Sequence, residues 1–158
     1  MSLERILGFL AEIGVPVRRA ELAEATFLPG VRIEAGGLVV DEARLAHPGD
    51  LLHEAGHLAV LKAEERARAG DDLESGPGEE MAAIAWSYAA CVHLGLDAGV
   101  VFHDAGYQGG GAALRENFSA GRHVGVPLLA WYGLTRERAE ADAPGHAVYP
   151  RMQSWLRA

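Results

Sequence analysis

The feature that most constrains this chain is an apolar helical stretch, residues 51–58, that carries the pattern His-Glu-x-x-His. Residues four apart on an α-helix lie on one face, so His53 and His57 can direct two imidazoles at a single metal ion. Glu54 lies next to that face. In such sites Zn²⁺ lowers the pKa of a bound water to about 7, and a neighbouring carboxylate takes up the proton. The stretch therefore predicts a zinc site with two ligands and a general base.

The surrounding residues favour this interpretation over that of two unrelated histidines at the edge of a core. Asp50 is a residue type that commonly caps the N-terminus of a helix, and we expect it to be the N-cap here. Apolar residues recur on one side of the helix and predict a buried stripe; they are Leu51, Leu52, Ala55, Leu58 and Ala59. Both histidines should then lie near the packed side of a buried helix.

Glu80 is the best candidate for a third ligand, which a catalytic zinc site needs in addition to an open position for water. It begins a predicted helix, residues 80–94, after an acidic loop rich in Gly, residues 70–78, that would let two helices return side by side. The rest of that helix is almost free of charge and should be buried. A carboxylate at its start is costly unless it meets a cation or a metal. Glu79 competes for this role, but it better suits a solvated helix N-terminus.

These motifs resemble those of the zincin superfamily of zinc peptidases, in the branch whose third ligand is glutamate. The likeness rests on the segment 53–57, His-Glu-Ala-Gly-His, followed 23 residues later by a helical Glu. The segment 80–87, Glu-Met-Ala-Ala-Ile-Ala-Trp-Ser, is also similar to the Glu-x-x-Ala-Asn-x-Phe-Ala motif of ImmA/IrrE-type zincins. Ile84 stands where that family usually has Asn, and Trp86 where it has Phe. The resemblance covers about residues 28 to 94.

The resemblance implies a fold and a set of roles. We expect one α+β zincin-like domain over residues 1–158, with a small, mostly antiparallel sheet packed beside a two-helix metal site. His53, His57 and Glu80 would bind Zn²⁺, and Glu54 would be the general base. The implied function is zinc-dependent hydrolysis of a peptide bond, with a peptide or protein as substrate. By analogy with the family, that substrate would be a regulatory protein such as a repressor.

Two alternatives belong to other functional classes. One is a zincin-shaped binding or regulatory module whose metal is structural or absent, and the other is a zinc hydrolase that acts on a non-peptide amide. The intact Glu54 favours catalysis over the first, because a purely structural zinc site closes its fourth position with Cys or His and needs no base. The second differs only in the shape of the substrate pocket.

The composition fits one enzyme-sized domain, since 158 residues with 49% hydrophobic content can bury a proper core. A net charge of -8 argues against direct binding of nucleic acid, because no stripe of Lys and Arg is available to neutralise phosphates. A single cysteine, Cys91, excludes an intrachain disulfide framework. Charged residues interrupt the first apolar stretch, and no apolar run is long enough to span a membrane. We therefore expect a cytoplasmic protein without a membrane partner.

The flanking segments carry simpler predictions. Residues 2–14 form an amphipathic first helix, and residues 18–25 a short second helix. Toward the C-terminus we expect an apolar helix over residues 126–133 and a charged helix that begins at a capping Thr135. Trp155 should anchor the final segment.

Residues 28–41 predict a β-hairpin. An alternating strand, residues 31–34, is followed by a turn at Gly36-Gly37 and a second strand, residues 38–41. In zincins the strand before the metal-binding helix typically forms the rim of the cleft, where an extended peptide can pair with it. By resemblance that rim would be residues 38–41. The alternative is an ordinary strand covered on both sides.

The Gly-rich segment 95–125 could fold over the cleft. It contains His103, Tyr107 and His123, which are the available candidates for an oxyanion-stabilising donor or for a substrate contact. For each of them a surface position on a loop is the competing interpretation. His47, in the turn before the metal-binding helix, is expected to be a loop residue rather than a ligand.

Overall fold

The structure is a computed structural model that describes residues 2–139 and 144–158. Over these residues the chain is an α+β fold of six α-helices and a three-stranded sheet. The elements are α1 (Ser2–Ile13), β1 (Val17–Arg19), β2 (Val31–Glu34), β3 (Gly37–Val40), α2 (Asp50–Ala59), α3 (Ala63–Arg66), α4 (Pro77–His93), α5 (Gly111–Ser119) and α6 (Val126–Trp131). None of these helices combines the length and apolar character that crossing a membrane requires.

The sheet has the strand order β1-β3-β2 and is mixed. Strand β3 lies in the middle, parallel to β1 and antiparallel to β2. The prediction of a mostly antiparallel sheet is therefore wrong in one of its two strand pairings. All four residues of β3 are buried. The strand over residues 38–41 is thus a covered central strand and not the rim of a cleft, and β2 takes the edge position.

The predicted hairpin is confirmed, with Ile33 opposite Leu38 in the register of β2 and β3. Its turn lies one residue earlier than expected, at Ala35-Gly36. Both turn residues have positive φ, 48° and 79°, as a type I′ turn requires. This turn matches the right-handed twist of the two strands, so the hairpin can close with only two residues outside the ladder.

The short helix expected over residues 18–25 does not form. Arg18 and Arg19 belong to β1, and the chain after them is held to the hairpin as a loop. Asp41 is buried and its carboxylate accepts the Leu22 N–H at 2.9 Å. The Ala20 N–H donates to the Val40 carbonyl. Pairing with the central strand overrides the weak local helix propensity of this segment.

Helix α4 is the centre of the core, as its near lack of charge predicted. Trp86 on this helix is fully buried, and its indole N–H donates to the Trp155 carbonyl at 2.8 Å. The Trp155 ring packs edge-on against Phe9 of α1 and against Trp86. The final segment also covers the end of α2, where the Arg157 N–H donates to the Ala59 carbonyl. Trp155 is therefore an anchor, as expected.

The structure corrects two predictions in the C-terminal half. The Gly-rich segment 95–125 is not a continuous loop, because it contains α5 and two short 3₁₀ helices. Helix α6 forms as expected, but the charged helix predicted to begin at Thr135 does not form over residues 135–139. The Thr135 hydroxyl donates to the Arg151 carbonyl instead of capping a helix. The continuation of that predicted helix, residues 140–143, lies outside the described residues.

Gly56 sets the distance between α2 and α4. A Cβ at this position would lie 2.8 Å from the Ala83 carbonyl oxygen, which is closer than packed atoms approach. We expect Gly56→Ala to destabilise the fold by about 1–2 kcal/mol, because a steric cost of about 1–3 kcal/mol exceeds the gain in helix propensity. Gly8 on α1 is a matched control with nothing within 4 Å of its Cβ position. Gly8→Ala should stabilise by about 0.5–1 kcal/mol in the same denaturant titration.

Candidate metal centre

Two packed helices bring three donor groups to one place. His53 and His57 lie one turn apart on α2, and Glu80 lies in the first turn of α4. The close approach at Gly56 puts α4 directly against the face of α2 that carries the histidines. Because α4 begins at Pro77 rather than at Glu80, the Glu80 side chain leaves an already formed helical turn.

The donor atoms converge at a spacing that suits a tetrahedral ion. The Nε2 atoms of His53 and His57 are 3.2 Å apart, and the Glu80 carboxylate oxygens lie 3.5 Å and 3.0 Å from them. A tetrahedral ion with bonds of about 2.0–2.1 Å places its ligand atoms about 3.3 Å apart. One ligand atom from each residue lies within 4.8 Å of the other two. These residues can therefore hold a metal ion, and their histidine and carboxylate donors fit zinc.

Glu79 is excluded from this group by the direction of its side chain. It is exposed at the start of α4, while Glu80 is half-buried against the two imidazoles. Neighbouring helical residues point about 100° apart, so only one of the two can face α2. The structure therefore places Glu80 with His53 and His57, and it leaves Glu79 in the solvated first turn.

The charges of the cluster are coupled. The hydrogen bond from His57 holds the pKa of Glu80 below its usual range. Burial lowers the pKa of His57, but the hydrogen bond and charge of Glu80 outweigh it and leave that pKa raised. Burial and the nearby His57 lower the pKa of His53 to about 4. His53 is therefore neutral at pH 7 and offers a lone pair, whereas the contact of His57 with Glu80 favours the protonated imidazole and the ionised carboxylate.

Glu54 lines the same cleft but stands outside the group of donors. Burial is the largest influence on its carboxyl group and, with the charges of Glu80, Asp50 and Asp71, it raises the pKa to about 7. His57 acts in the opposite direction. A carboxyl group in this position can exchange a proton with a water molecule in the cleft at neutral pH.

Each imidazole is held from behind by a hydroxyl group. Ser75 Oγ lies 3.0 Å from Nδ1 of His57, and the Tyr107 hydroxyl lies 3.1 Å from Nδ1 of His53. A metal ion held at Nε2 would leave the proton of each imidazole on Nδ1, from where it would be donated to these oxygens. Burial raises the pKa of Tyr107, so its hydroxyl stays protonated and accepts this bond as a neutral group.

The backbone at Tyr107 is strained in the way that functional loops often are. Tyr107 and Gln108 have φ of 56° and 55°, a left-handed conformation that non-glycine residues rarely adopt. Such residues cost about 1–3 kcal/mol each and persist where the surrounding structure holds them in place. Here the ring of Tyr107 packs edge-on against that of His53. The loop thus holds Tyr107 against the imidazole.

Of the three residues considered as oxyanion donors or substrate contacts, only Tyr107 lines the cleft among the described residues. His103 is bonded through Nε2 to Asp50 at 2.7 Å and is stacked on His47. His123 lies in an aromatic cluster, with Nε2 3.1 Å from the Phe118 carbonyl oxygen. His47 is a loop residue, as expected, although its ring packs on His103.

Asp50 and Ser75 are the residues whose positions the sequence did not reveal. Gly49, not Asp50, is the N-cap of α2. A Cβ at Gly49 would lie 1.9 Å from the Val100 carbonyl oxygen, so only glycine fits this position. Asp50 is instead the first helical residue, buried and paired with His103. In the sequence, Asp50 shows only as a carboxylate one turn before His53. A role as N-cap accounts for such a residue equally well, so its pairing with His103 was not predicted.

The donors lie at the base of a cleft of about 590 Å³. Hairpin residues, the loop between α3 and α4 and the 3₁₀ helix at Tyr107 form its walls. Besides the two histidines its lining combines apolar and acidic side chains: Phe27, Leu28, Ile33, Leu73, Asp50, Glu54, Asp71 and Glu80. The loop predicted over residues 70–78 thus contributes to the wall. This cleft is large enough to admit several residues of a polypeptide.

No family model, curated protein or solved structure matches this chain.

Proposed function

We propose that this protein is a zinc-dependent metallopeptidase of the zincin type that hydrolyses a peptide bond in a polypeptide substrate. The observation that carries the proposal is the convergence of His53, His57 and Glu80 at tetrahedral spacing beside Glu54. Two imidazoles and one carboxylate are a donor set that catalytic zinc sites use, with a fourth position left for water. A structural site would be closed by a fourth protein ligand.

The division of roles follows from position. Zinc, when bound, supplies Lewis acidity toward the scissile carbonyl and makes water a better nucleophile at neutral pH. Glu54 takes a proton from the attacking water on its carboxylate and later transfers it to the leaving amine. His53, His57 and Glu80 hold the ion. Tyr107 and Ser75 keep the two imidazoles in the orientation that directs Nε2 toward it.

The edge strand β2 supports a peptide as the substrate. The Leu38 N–H donates to the Pro16 carbonyl on the β1 side, so Leu38 and the opposite Ile33 are not a hydrogen-bonded pair. In an antiparallel ladder the N–H and C=O of Ile33 then point to the outer edge. Ile33 also lines the cleft. An extended peptide could pair with this edge as an added strand and lie across the metal centre.

The substrate that the ImmA/IrrE resemblance implies is a regulatory protein such as a repressor. The likeness of residues 80–87 to the family motif supports this part of the proposal, and the open edge of β2 supports an extended conformation for the bound segment.

The proposal is tested by digestion of a proteome-derived peptide library, with new termini identified by mass spectrometry. Zinc-loaded protein should generate new termini, a chelator should abolish cleavage, and addition of zinc should restore it. Protein that retains zinc but cleaves no peptide would overturn the peptidase function. Cleavage of small amides without peptide cleavage would instead assign a non-peptide amide hydrolase.

Tyr107→Phe should weaken zinc binding by about 10–100-fold, the usual effect of losing a hydrogen bond behind a metal-binding histidine. The His53 side chain is only 12% exposed, so water cannot easily replace the phenol oxygen. Ser75 is exposed, and water can replace its hydroxyl, so Ser75→Ala should cost less than tenfold. Tyr132→Phe, on the ring that packs under Arg157, is the control. Competition with a chromogenic chelator measures all three, and equal affinity of Tyr107→Phe and wild type would exclude the positioning role.

A further inference from the structure

Phe27 is an exposed aromatic side chain at the mouth of the cleft. It lines the cleft, yet 97% of it is exposed. The backbone around it is ordered, because the Thr26 hydroxyl donates to the Leu28 carbonyl and Leu28 forms a bridge with Val31. A tight turn over residues 28–31 follows Phe27 directly, and the ring stands in solvent at the edge of the cleft. Leu28 and Leu73, which are only partly buried, extend this apolar surface within the cleft lining.

Apart from the histidines, the charged side chains that line the cleft are all acidic. Four acidic residues line it, and no Lys or Arg among the described residues does. Three of the four already have roles, since Glu54 and Glu80 belong to the proposed catalytic centre and Asp50 is paired with His103. Asp71 is the remaining one, and it is exposed. Asp71 can therefore contact a charged group of a bound molecule without first breaking an ion pair such as the one between Asp50 and His103.

We propose that the cleft selects extended polypeptide segments in which a large apolar side chain near the scissile bond packs on Phe27 and Leu73, and a lysine or arginine lies beside Asp71. This inference rests on the proposed peptidase function and names the substrate class for the same site. The apolar side chain of the bound substrate covers the Phe27 ring and removes it from water. The acidic lining attracts a basic segment and repels an acidic one.

The two contributions should differ in size. An apolar contact in a substrate pocket discriminates by about tenfold or more. A solvent-exposed ion pair contributes little, so the preference for a basic residue should be about 2–5-fold and should shrink as salt is added. Selection is thus dominated by the apolar residue, and charge refines it.

Four peptides derived from one cleaved sequence test the inference. They carry leucine or serine at the apolar position and lysine or glutamate at the charged position, and kcat/KM is measured for each. Wild-type protein should cleave the leucine–lysine peptide fastest. Phe27→Ala should reduce the preference for leucine by about tenfold while cleavage of the serine peptides changes little. Trp131→Ala is the matched control, because Trp131 is 83% exposed but does not line the cleft.

Charge reversal tests the second contact. Asp71→Lys should invert the preference, so that the glutamate peptide is cleaved faster than the lysine peptide. Asp72→Lys is the control, because this neighbouring acid is exposed and is not part of the lining. An equal effect of the two reversals would mean that only net charge matters and would overturn the specific role of Asp71.

The outcomes separate this inference from the function on which it rests. A wild-type protein that cleaves peptides without these preferences, or with preferences that Phe27→Ala and Asp71→Lys leave unchanged, overturns the inference and leaves the peptidase function standing. A zinc-loaded protein that cleaves no peptide overturns both.

Discussion

Replacement of Glu54 by glutamine should lower peptide hydrolysis by about 10²- to 10⁴-fold while zinc remains bound. Glutamine keeps the size of the side chain and can still form hydrogen bonds, but it cannot take a proton from water. Because Glu54 stands outside the group of donors, the substitution leaves the three ligands in place. Turnover of a cleaved peptide and the zinc content of the same sample are the two measurements.

Glu79→Gln is the matched control for this experiment. It removes an acidic group next to a ligand, but from an exposed position outside the donor group. Its turnover should equal that of wild type. Equal turnover of Glu54→Gln and wild type would show that Glu54 is not the base. A loss of zinc in Glu54→Gln would mean that this carboxylate contributes to the metal site itself.

The second large effect concerns the ligands. Loss of a hydrogen bond behind a ligand is expected to weaken zinc binding by about 10–100-fold. Loss of a ligand itself should weaken it more, in each of the variants His53→Ala, His57→Ala and Glu80→Ala. Glu79→Ala should bind zinc like wild type, since that side chain points away from the cluster. Zinc content after dialysis against a weak chelator measures this difference. If both histidine variants keep their full zinc, the metal site lies elsewhere in the chain.

Zinc binding should also stabilise the fold. A ligand that binds only the native state, present at about 1,000 times its Kd, adds about 4 kcal/mol to the free energy of unfolding. Thermal unfolding with and without chelator should therefore differ strongly for wild type. In Glu80→Ala most of this difference should disappear, whereas Glu79→Ala should retain it.

The elements that sequence alone could predict are those whose signal is local. The helical periodicity around His53 and the near absence of charge after Glu80 identified α2 and α4, although α4 begins three residues earlier than expected. The alternation of residues 31–34 identified β2. The structure also places Glu80, and not Glu79, beside the two histidines, because the buried face of a helix fixes which neighbour points inward; its role as a ligand stays a prediction.

The elements that could not be predicted depend on contacts between distant residues. Strand β1 exists because Arg18 and Arg19 pair with β3, and three residues carry too weak a pattern to show this. Asp50 was predicted as a cap, but its partner is His103, 53 positions away. Tyr107 is placed behind His53 by a left-handed backbone that its sequence does not indicate. The strand order, and hence the edge position of β2, was likewise set by long-range pairing.

The central claim is that His53, His57 and Glu80 bind zinc, and anomalous diffraction from crystals grown with zinc tests it most directly. Data collected on both sides of the zinc absorption edge should show one peak about 2.0–2.2 Å from Nε2 of each histidine and from a Glu80 carboxylate oxygen. The peak should be absent from crystals of His57→Ala. A peak bound instead by Glu79, His93 or Asp104, or no peak at the three donors in zinc-saturated wild-type crystals, would contradict the account.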